Sequence, residues 1–409
     1  MTTPPSQRTT PLHQVHEQAG ASFTDFGGWQ MPLKYGSELA EHQAVRTSAG
    51  LFDLSHMGEV RVSGPEAAAA LDYALVGKIS AVKPGKAKYS LVCTEAGTVL
   101  DDVIVYRLDA AEPDADGVVD PGTEFLVVPN AGNASAVAAA LSERASRFES
   151  TVTDESAQSA LVAVQGPESA RILTAALVES AAVEIAEMKY YSALESTVRT
   201  EQGEVPVLVA RTGYTGEDGF ELIIGPEPDA EQLSAQATAV WTALVSAAEQ
   251  CGADLLPCGL ASRDSLRLEA GMPLYGNELD LEHLPAESGV GPVVAYKKEG
   301  DFVGRASLEA ARERAETEAA EGTDTRQVLV GLQGEGRRAA RSGYPVLDGD
   351  GAVVGKVTSG APSPTLGHPV ALARVDARHS AVGTALQVDL RGRPEAFTVV
   401  ELPFYQRER

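Results

Sequence analysis

Several stretches of this sequence set ionisable side chains where burial would make them reactive. In residues 100–105, Leu-Asp-Asp-Val-Ile-Val, Asp101 and Asp102 interrupt an apolar run. The run reads as a strand, whose successive side chains point to opposite faces, so only one of the two carboxylates can face a given cavity. Burying an unpaired carboxylate costs several kcal/mol, which makes a mid-strand acid a candidate for proton or charge handling. The plainer alternative is an edge strand with both acids wet. Residues 211–221, Arg-Thr-Gly-Tyr-Thr-Gly-Glu-Asp-Gly-Phe-Glu, hold Tyr214, Glu217, Asp218 and Glu221 in one glycine-rich run. Gly213, Gly216 and Gly219 allow a tight turn or close approach of the backbone to a ligand. Alternation puts Phe220 and Leu222 on one face and Glu221 and Ile223 on the other. Glu221 then sits among apolar neighbours and needs a partner, from the protein or from a ligand. Solvated loop acids are the competing reading. A phosphate loop is excluded, because no Gly-Lys-Ser/Thr follows and the acids would repel phosphate. Further on, Arg263 and Arg267 lie one helical turn apart, either as anion ligands or as surface arginines paired to Asp264 and Glu269. His56 and Met57 stand at the entry to a strand, where His56 is either packed or catalytic.

The elements that must position these groups follow from periodicity. Residues 11–21 and 38–48 read as helices, 59–62 as a strand, 64–76 as a helix, and 88–93 with 99–108 as a hairpin carrying the paired aspartates. A surface insertion rich in Asp, Pro and Gly is expected at 110–122, then a strand ending at Asn130 and a helix over 131–146. From residue 155 the scheme recurs, with a strand, a helix, the 205–224 hairpin and a helix through 244. The chain therefore reads as α+β, with two related halves over 1–150 and 151–305. A charged helix or linker follows at 306–326, and then a small all-β domain at 327–409 with six short strands between Gly, Pro and Asp turns.

Composition bounds the function. At 409 residues two or three domains are expected, and 44% hydrophobic residues supply material for their cores. A net charge of -25 with a pI near 4.7 argues against nucleic acid and anionic membranes as partners. Three cysteines with no Cys-x-x-Cys pair suggest neither a zinc site nor a disulfide framework, which is compatible with a cytoplasmic protein. No stretch reads as a secretion signal or a membrane span.

Taken in order, Gly-Gly-Trp-Gln-Met-Pro, Leu-Phe-Asp-Leu-Ser-His-Met-Gly, Leu-Asp-Asp-Val-Ile-Val-Tyr-Arg, Val-Gln-Gly-Pro, the 211–221 run, Arg-Asp-Ser-Leu-Arg-Leu-Glu-Ala-Gly and Leu-Tyr-Gly-Asn-Glu-Leu resemble the glycine cleavage T proteins. The resemblance spans nearly the whole chain, and its tyrosine-glycine-acid hairpin and helix motifs are specific to that aminomethyltransferase superfamily. It implies a three-domain cloverleaf, two α+β halves around a central folate channel plus a C-terminal β-barrel or jelly-roll-like domain. It also implies an enzyme that moves a one-carbon unit from the aminomethylated lipoyl arm of the glycine cleavage H protein to tetrahydrofolate, without a metal. The products would be ammonia, 5,10-methylenetetrahydrofolate and dihydrolipoyl H protein, with the P and L proteins as indirect partners.

By position, Asp102 matches the family's essential aspartate and Glu221 its pterin-binding glutamate. Tyr214 and Asn130 match folate-pocket positions, and Tyr89 and Met57 wall positions. Arg263 and Arg341 match arginines of which either would suit the glutamyl carboxylates of folate. Pro292 departs from a tryptophan common in the family, and the 110–122 and 306–326 segments look longer than usual. Two other readings compete. A folate-dependent demethylase would share the pterin residues and differ in its donor. A non-catalytic folate-binding iron–sulfur maturation factor would need a Lys-Gly-Cys-Tyr-type segment that this chain lacks. Oxidase fusions are disfavoured, since no Gly-x-Gly-x-x-Gly segment is present.

Overall fold

The computed structural model describes residues 7–108, 124–179 and 181–407, so the insertion expected at 110–122 lies outside the described residues. The chain forms two compact units. One comprises Met1–Ala70, Ala81–Lys88 and Ile104–Arg263, the other Leu71–Ser80, Tyr89–Val103 and Asp264–Arg409.

The first unit is built on a six-stranded sheet. Its order is Ala193–Thr200, Gly203–Ala210, Gly219–Ile224, Ala160–Gln165, Ala49–Asp53 and Leu255–Pro257. The helices Ser169–Ala176 and Ala230–Cys251 contribute to the apolar core on one side, with Val162, Val164, Phe220, Leu222, Leu244 and Trp241. The longer helix starts where Asp229 accepts backbone N–H bonds from Glu231 and Gln232, and it stops at Gly252 with φ 65°. Strand alternation then leaves the opposite sheet face for other residues, Glu221 among them. Val60–Ser63 pairs antiparallel with both Phe125–Pro129 and Thr151–Asp154 in the same unit. The residues between Arg8 and Tyr35 fold back on Ala49–Asp53 through a buried relay. Thr10 Oγ1 donates to Asp53 Oδ2 at 2.6 Å, His16 Nε2 lies 2.8 Å from that oxygen, and the Tyr35 hydroxyl lies 2.8 Å from His16 Nδ1.

In the second unit, Gln327–Gly334, Pro369–Asp376, Val353–Pro362, Pro345–Leu347, Ala385–Asp389 and Pro394–Val400 close, in that order, into a barrel. Closure removes the exposed sheet edges, and Leu332, Val346, Val357, Ala373, Val388 and Phe397 fill its core. The charged 306–326 segment is a helix, Arg305–Glu321, anchored by Leu308 and Ala315 while its other side chains stay half-buried or exposed. A further cluster joins Leu91, Cys93 and Val99 to Leu279, Val294 and Phe302.

Arg267 does not behave as a surface arginine. It is 1% exposed and its guanidinium donates to Glu278 Oε2 at 3.0 Å, Asp264 Oδ1 at 2.8 Å and Ser359 Oγ at 2.7 Å. Glu269, the other expected partner, instead accepts from Ser363 and Thr365. Arg267→Met keeps the stem volume but leaves Glu278 buried without its cation, so it is expected to destabilise the chain by about 3–5 kcal/mol. Urea unfolding measures this, and a loss below about 1 kcal/mol would show that the pair is replaceable.

Candidate active site

The glycine-rich hairpin joins Gly203–Ala210 to Gly219–Ile224. Its loop acids are not solvated. Arg211 grips Asp218 with two parallel bonds, Nε to Oδ1 at 2.9 Å and Nη2 to Oδ2 at 2.6 Å. Arg46 Nη1 donates to Glu217 Oε1 at 3.0 Å and to the Thr215 carbonyl at 2.8 Å. Gly216 supplies the positive φ, 82°, that the turn between them requires. Glu217 and Asp218 therefore fix the loop and leave Tyr214 and Glu221 as its groups for a ligand.

Cross-strand register sets Ala210, Glu221, Ala163 and Phe52 in one row across the sheet. The two alanines leave room beside the carboxylate, and Glu221 is 8% exposed. Its Oε2 accepts from Thr212 Oγ1 at 2.5 Å and from the Tyr106 hydroxyl at 3.4 Å. Burial, reinforced by the Glu221 charge, pushes the Tyr106 phenol well above its ordinary range, which keeps it a donor. Oε1 has no hydrogen-bond partner among the described residues and is not sealed from solvent. The carboxylate is thus aimed through one oxygen and open at the other.

Arg263 stacks over Tyr214, its guanidinium carbon 4.8 Å from the ring centroid. Burial lowers its pKa, while the charges of Glu221 and Tyr214 oppose that shift. Among the described residues the guanidinium hydrogen-bonds no carboxylate. An open carboxylate oxygen near a half-buried cation without a hydrogen-bonded counter-ion suits a polar ligand that carries both donors and acceptors.

At the neighbouring strand end Gly58 N donates to Pro129 O at 3.1 Å, and a Cβ on Gly58 would meet the Ala134 Cβ at 2.7 Å. Continuing the register of Val60 with Val127 sets Met57 across from Asn130, and both side chains are half-buried.

His56 is packed, 3% exposed, with the Phe26 ring edge-on at 5.5 Å and Nδ1 without a hydrogen-bond partner among the described residues. Burial lowers its pKa to about 4; Asp53 opposes this and Arg263 adds to it. The imidazole is neutral at pH 7. Its folded pKa lies below the unfolded value of about 6.5, so its contribution to stability is present above pH 6.5 and lost as pH falls towards 4. The loss should reach about 3 kcal/mol. His56→Gln is expected to flatten the stability profile across that window, and an unchanged profile would refute a neutral buried imidazole.

In the second unit Asp101 is 0% exposed and Asp102 half-buried, as strand alternation requires. Asp102 Oδ2 accepts from the Tyr89 hydroxyl at 3.0 Å. Tyr89 itself packs on the cluster containing Leu91, Val99 and Phe302, so the donor that orients the carboxylate is fixed. Arg341 is exposed and donates to the Gly360 carbonyl at 3.1 Å. Pro292 lies exposed in the short 3-10 turn Gly291–Val293. Glu221, Tyr214 and Arg263 are thus brought together in one unit, and Tyr89 and Asp102 in the other.

Sequence reasoning missed the groups that hold Glu221 and the loop, namely Tyr106, Thr212, Arg46 and Gln165. Tyr106 follows Asp102 at even spacing on the same strand, and Gln165 is the one amide ending an otherwise apolar strand, so a signal existed for both. Arg46 reaches Glu217 across 171 residues and left none.

Residues 12–298 match the family of the GCVT N-terminal domain, and residues 327–406 the glycine cleavage T-protein C-terminal barrel domain. The chain is 54% identical over 404 residues to an aminomethyltransferase of Cutibacterium acnes, covering 98% of this chain and 99% of that protein. It is 53% identical over 403 residues to an aminomethyltransferase of Streptomyces coelicolor, covering 98% of each. The crystal structure of the glycine cleavage system aminomethyltransferase T from Bartonella henselae superposes with a TM-score of 0.81 at 34% identity, covering 98% of this chain and 99% of that one. Motifs, sheet, closed barrel and full-length similarity agree, and the chain belongs to the glycine cleavage T-protein family of aminomethyltransferases.

Proposed function

We propose that this folate-dependent aminomethyltransferase takes its one-carbon unit from the S-aminomethyl-dihydrolipoyl arm of an H protein. The carbon–nitrogen and carbon–sulfur bonds of the adduct break, and bonds from the carbon to N5 and N10 of tetrahydrofolate form. The two protons released from N5 and N10 leave on ammonia and on the dihydrolipoyl thiol, so the reaction balances without a metal or an oxidant. Bound folate supplies the two nitrogen nucleophiles, and the protein supplies position and charge.

The observation that carries this reading is the open Oε1 of Glu221, held in place through Oε2 by Thr212 and Tyr106. A fixed carboxylate beside small residues suits the 2-amino and N3–H edge of a pterin, which presents two parallel donors. Arg263, stacked on Tyr214, offers donors to an acceptor edge or to a glutamyl carboxylate. Tyr214 and Asn130 take folate-pocket positions and Met57 a wall position in this unit. Asp102, oriented by Tyr89, is the group assigned to the chemistry, where its charge favours cationic character at the transferring carbon and accepts a proton. Arg341, exposed in the second unit, is the other arginine that would suit a glutamyl carboxylate.

Other components of the glycine cleavage system act before and after this step, with the H protein as the direct partner. Among the described residues no helix is long and apolar enough to cross a membrane, and we place the reaction in the cytoplasm. The donor is the point to test. Aminomethylated H protein and N-methylated amines, offered in parallel with tetrahydrofolate, should give methylenetetrahydrofolate from the first alone. Turnover of the amines instead would make the protein a demethylase.

A further inference from the structure

We propose that Gln165 is a positioning residue that sets both Glu221 and Tyr214 for folate, an inference that rests on the folate reading above. Gln165 ends the strand Ala160–Gln165 and is 1% exposed. Its amide points into the inside of the glycine-rich loop and uses both ends. Nε2 donates to the Thr212 carbonyl at 3.0 Å, and Oε1 accepts from Thr215 Oγ1 at 2.9 Å. Thr212 is the residue whose hydroxyl aims Glu221, and Thr212 and Thr215 bracket Gly213 and Tyr214. One amide therefore ties down the chain on both sides of the tyrosine and behind the carboxylate.

The loop is shaped around that amide. A Cβ on Gly213 would stand 2.0 Å from Gln165 Oε1, and one on Gly219 2.3 Å from Nε2. Neither glycine has a positive φ that would explain its choice by backbone conformation. They are glycine because the amide occupies the space a side chain would take. Backbone pairing holds Gln165 from both flanks, against Gly219 on one strand and Gly50 on the other, so the amide has a rigid base. Its removal leaves the Thr212 carbonyl and the Thr215 hydroxyl without their buried partner and frees the loop to move relative to the sheet.

Gln165→Leu preserves size and removes both hydrogen bonds. Tetrahydrofolate affinity is measured by equilibrium binding on the full chain, together with KM, kcat and thermal unfolding. The expected result is a rise in Kd and KM of about tenfold or more, with kcat at saturating folate within about threefold of the parent. In a Glu221→Ala background the same change should add less than its full loss, because the Glu221 contact it sets is already gone and only the Tyr214 contact remains to be disturbed. A folded Gln165→Leu protein with parental Kd would overturn the proposal, and so would a loss that adds in full to that of Glu221→Ala. If Gln165→Leu does not fold, Thr215→Val removes the hydrogen bond to Gln165 Oε1 and the one Thr215 Oγ1 accepts from Glu217 N, leaves the bond from Gln165 to the Thr212 carbonyl, and is judged by the same two criteria. A parent chain that does not bind tetrahydrofolate would overturn the folate reading and this role with it, whereas normal parental binding beside an unaffected variant sinks the role of Gln165 alone.

Discussion

Asp102→Asn is expected to lower turnover about 10²–10⁴-fold while leaving tetrahydrofolate affinity within about threefold of the parent. Asparagine keeps the shape of the side chain, and its carbonyl oxygen can still accept from the Tyr89 hydroxyl that orients Asp102. What disappears is the negative charge and the capacity to take a proton. Both matter when the carbon–nitrogen bond of the adduct breaks, because positive character grows at the carbon and a proton must be managed as ammonia leaves. A half-buried carboxylate on a rigid strand is worth more there than in water, since little solvent screens it. Single-turnover measurements at saturating folate separate the two effects. Folate affinity lost in parallel with rate would show that Asp102 binds folate instead of acting on the reaction.

Glu221→Ala should do the reverse, weakening folate binding about 10²–10⁴-fold with a much smaller effect on the rate at saturation. Two hydrogen bonds to a charged acceptor contribute about 1.5–3 kcal/mol each, and each 1.4 kcal/mol is tenfold in affinity. The substitution also strands the Thr212 and Tyr106 hydroxyls that now converge on Oε2, so some loss of stability accompanies it. Glu221→Gln separates the two consequences, because it keeps an acceptor for those hydroxyls while giving up the charge that the pterin edge needs. A Glu221→Ala protein with parental folate affinity would show that this carboxylate does not hold the pterin.

The parts of the molecule legible in the sequence are those fixed by local periodicity. The six barrel strands follow from period-two runs between turn residues, and six strands close the observed barrel. Strand alternation likewise separates Asp101 from Asp102 and puts Glu221 on the face opposite Phe220. What could not be read is how distant segments satisfy buried groups. Whether Glu217 and Asp218 were wet or paired depended on Arg46, from a helix 171 residues away, and on Arg211, whose fork matches Asp218 only once the turn is formed. Arg263 and Arg267 share a helix and a residue type, yet one stacks on an aromatic ring and the other is buried in a carboxylate pair. Spacing gave them the same reading; tertiary partners separate them. The amide of Gln165 was carried by a short motif of little specificity, and only the two glycines pressed against it reveal its use.

Passage of a one-carbon unit from a lipoyl arm to folate can be followed directly. The direct measurement is ammonia and methylenetetrahydrofolate release from purified H protein carrying the aminomethyl adduct, with and without tetrahydrofolate. Release of both products in equal amounts, dependent on folate and on the chain, is the predicted result. Folate binding without either product would contradict the donor assignment, and a chain that neither binds folate nor releases ammonia would contradict the account at its centre.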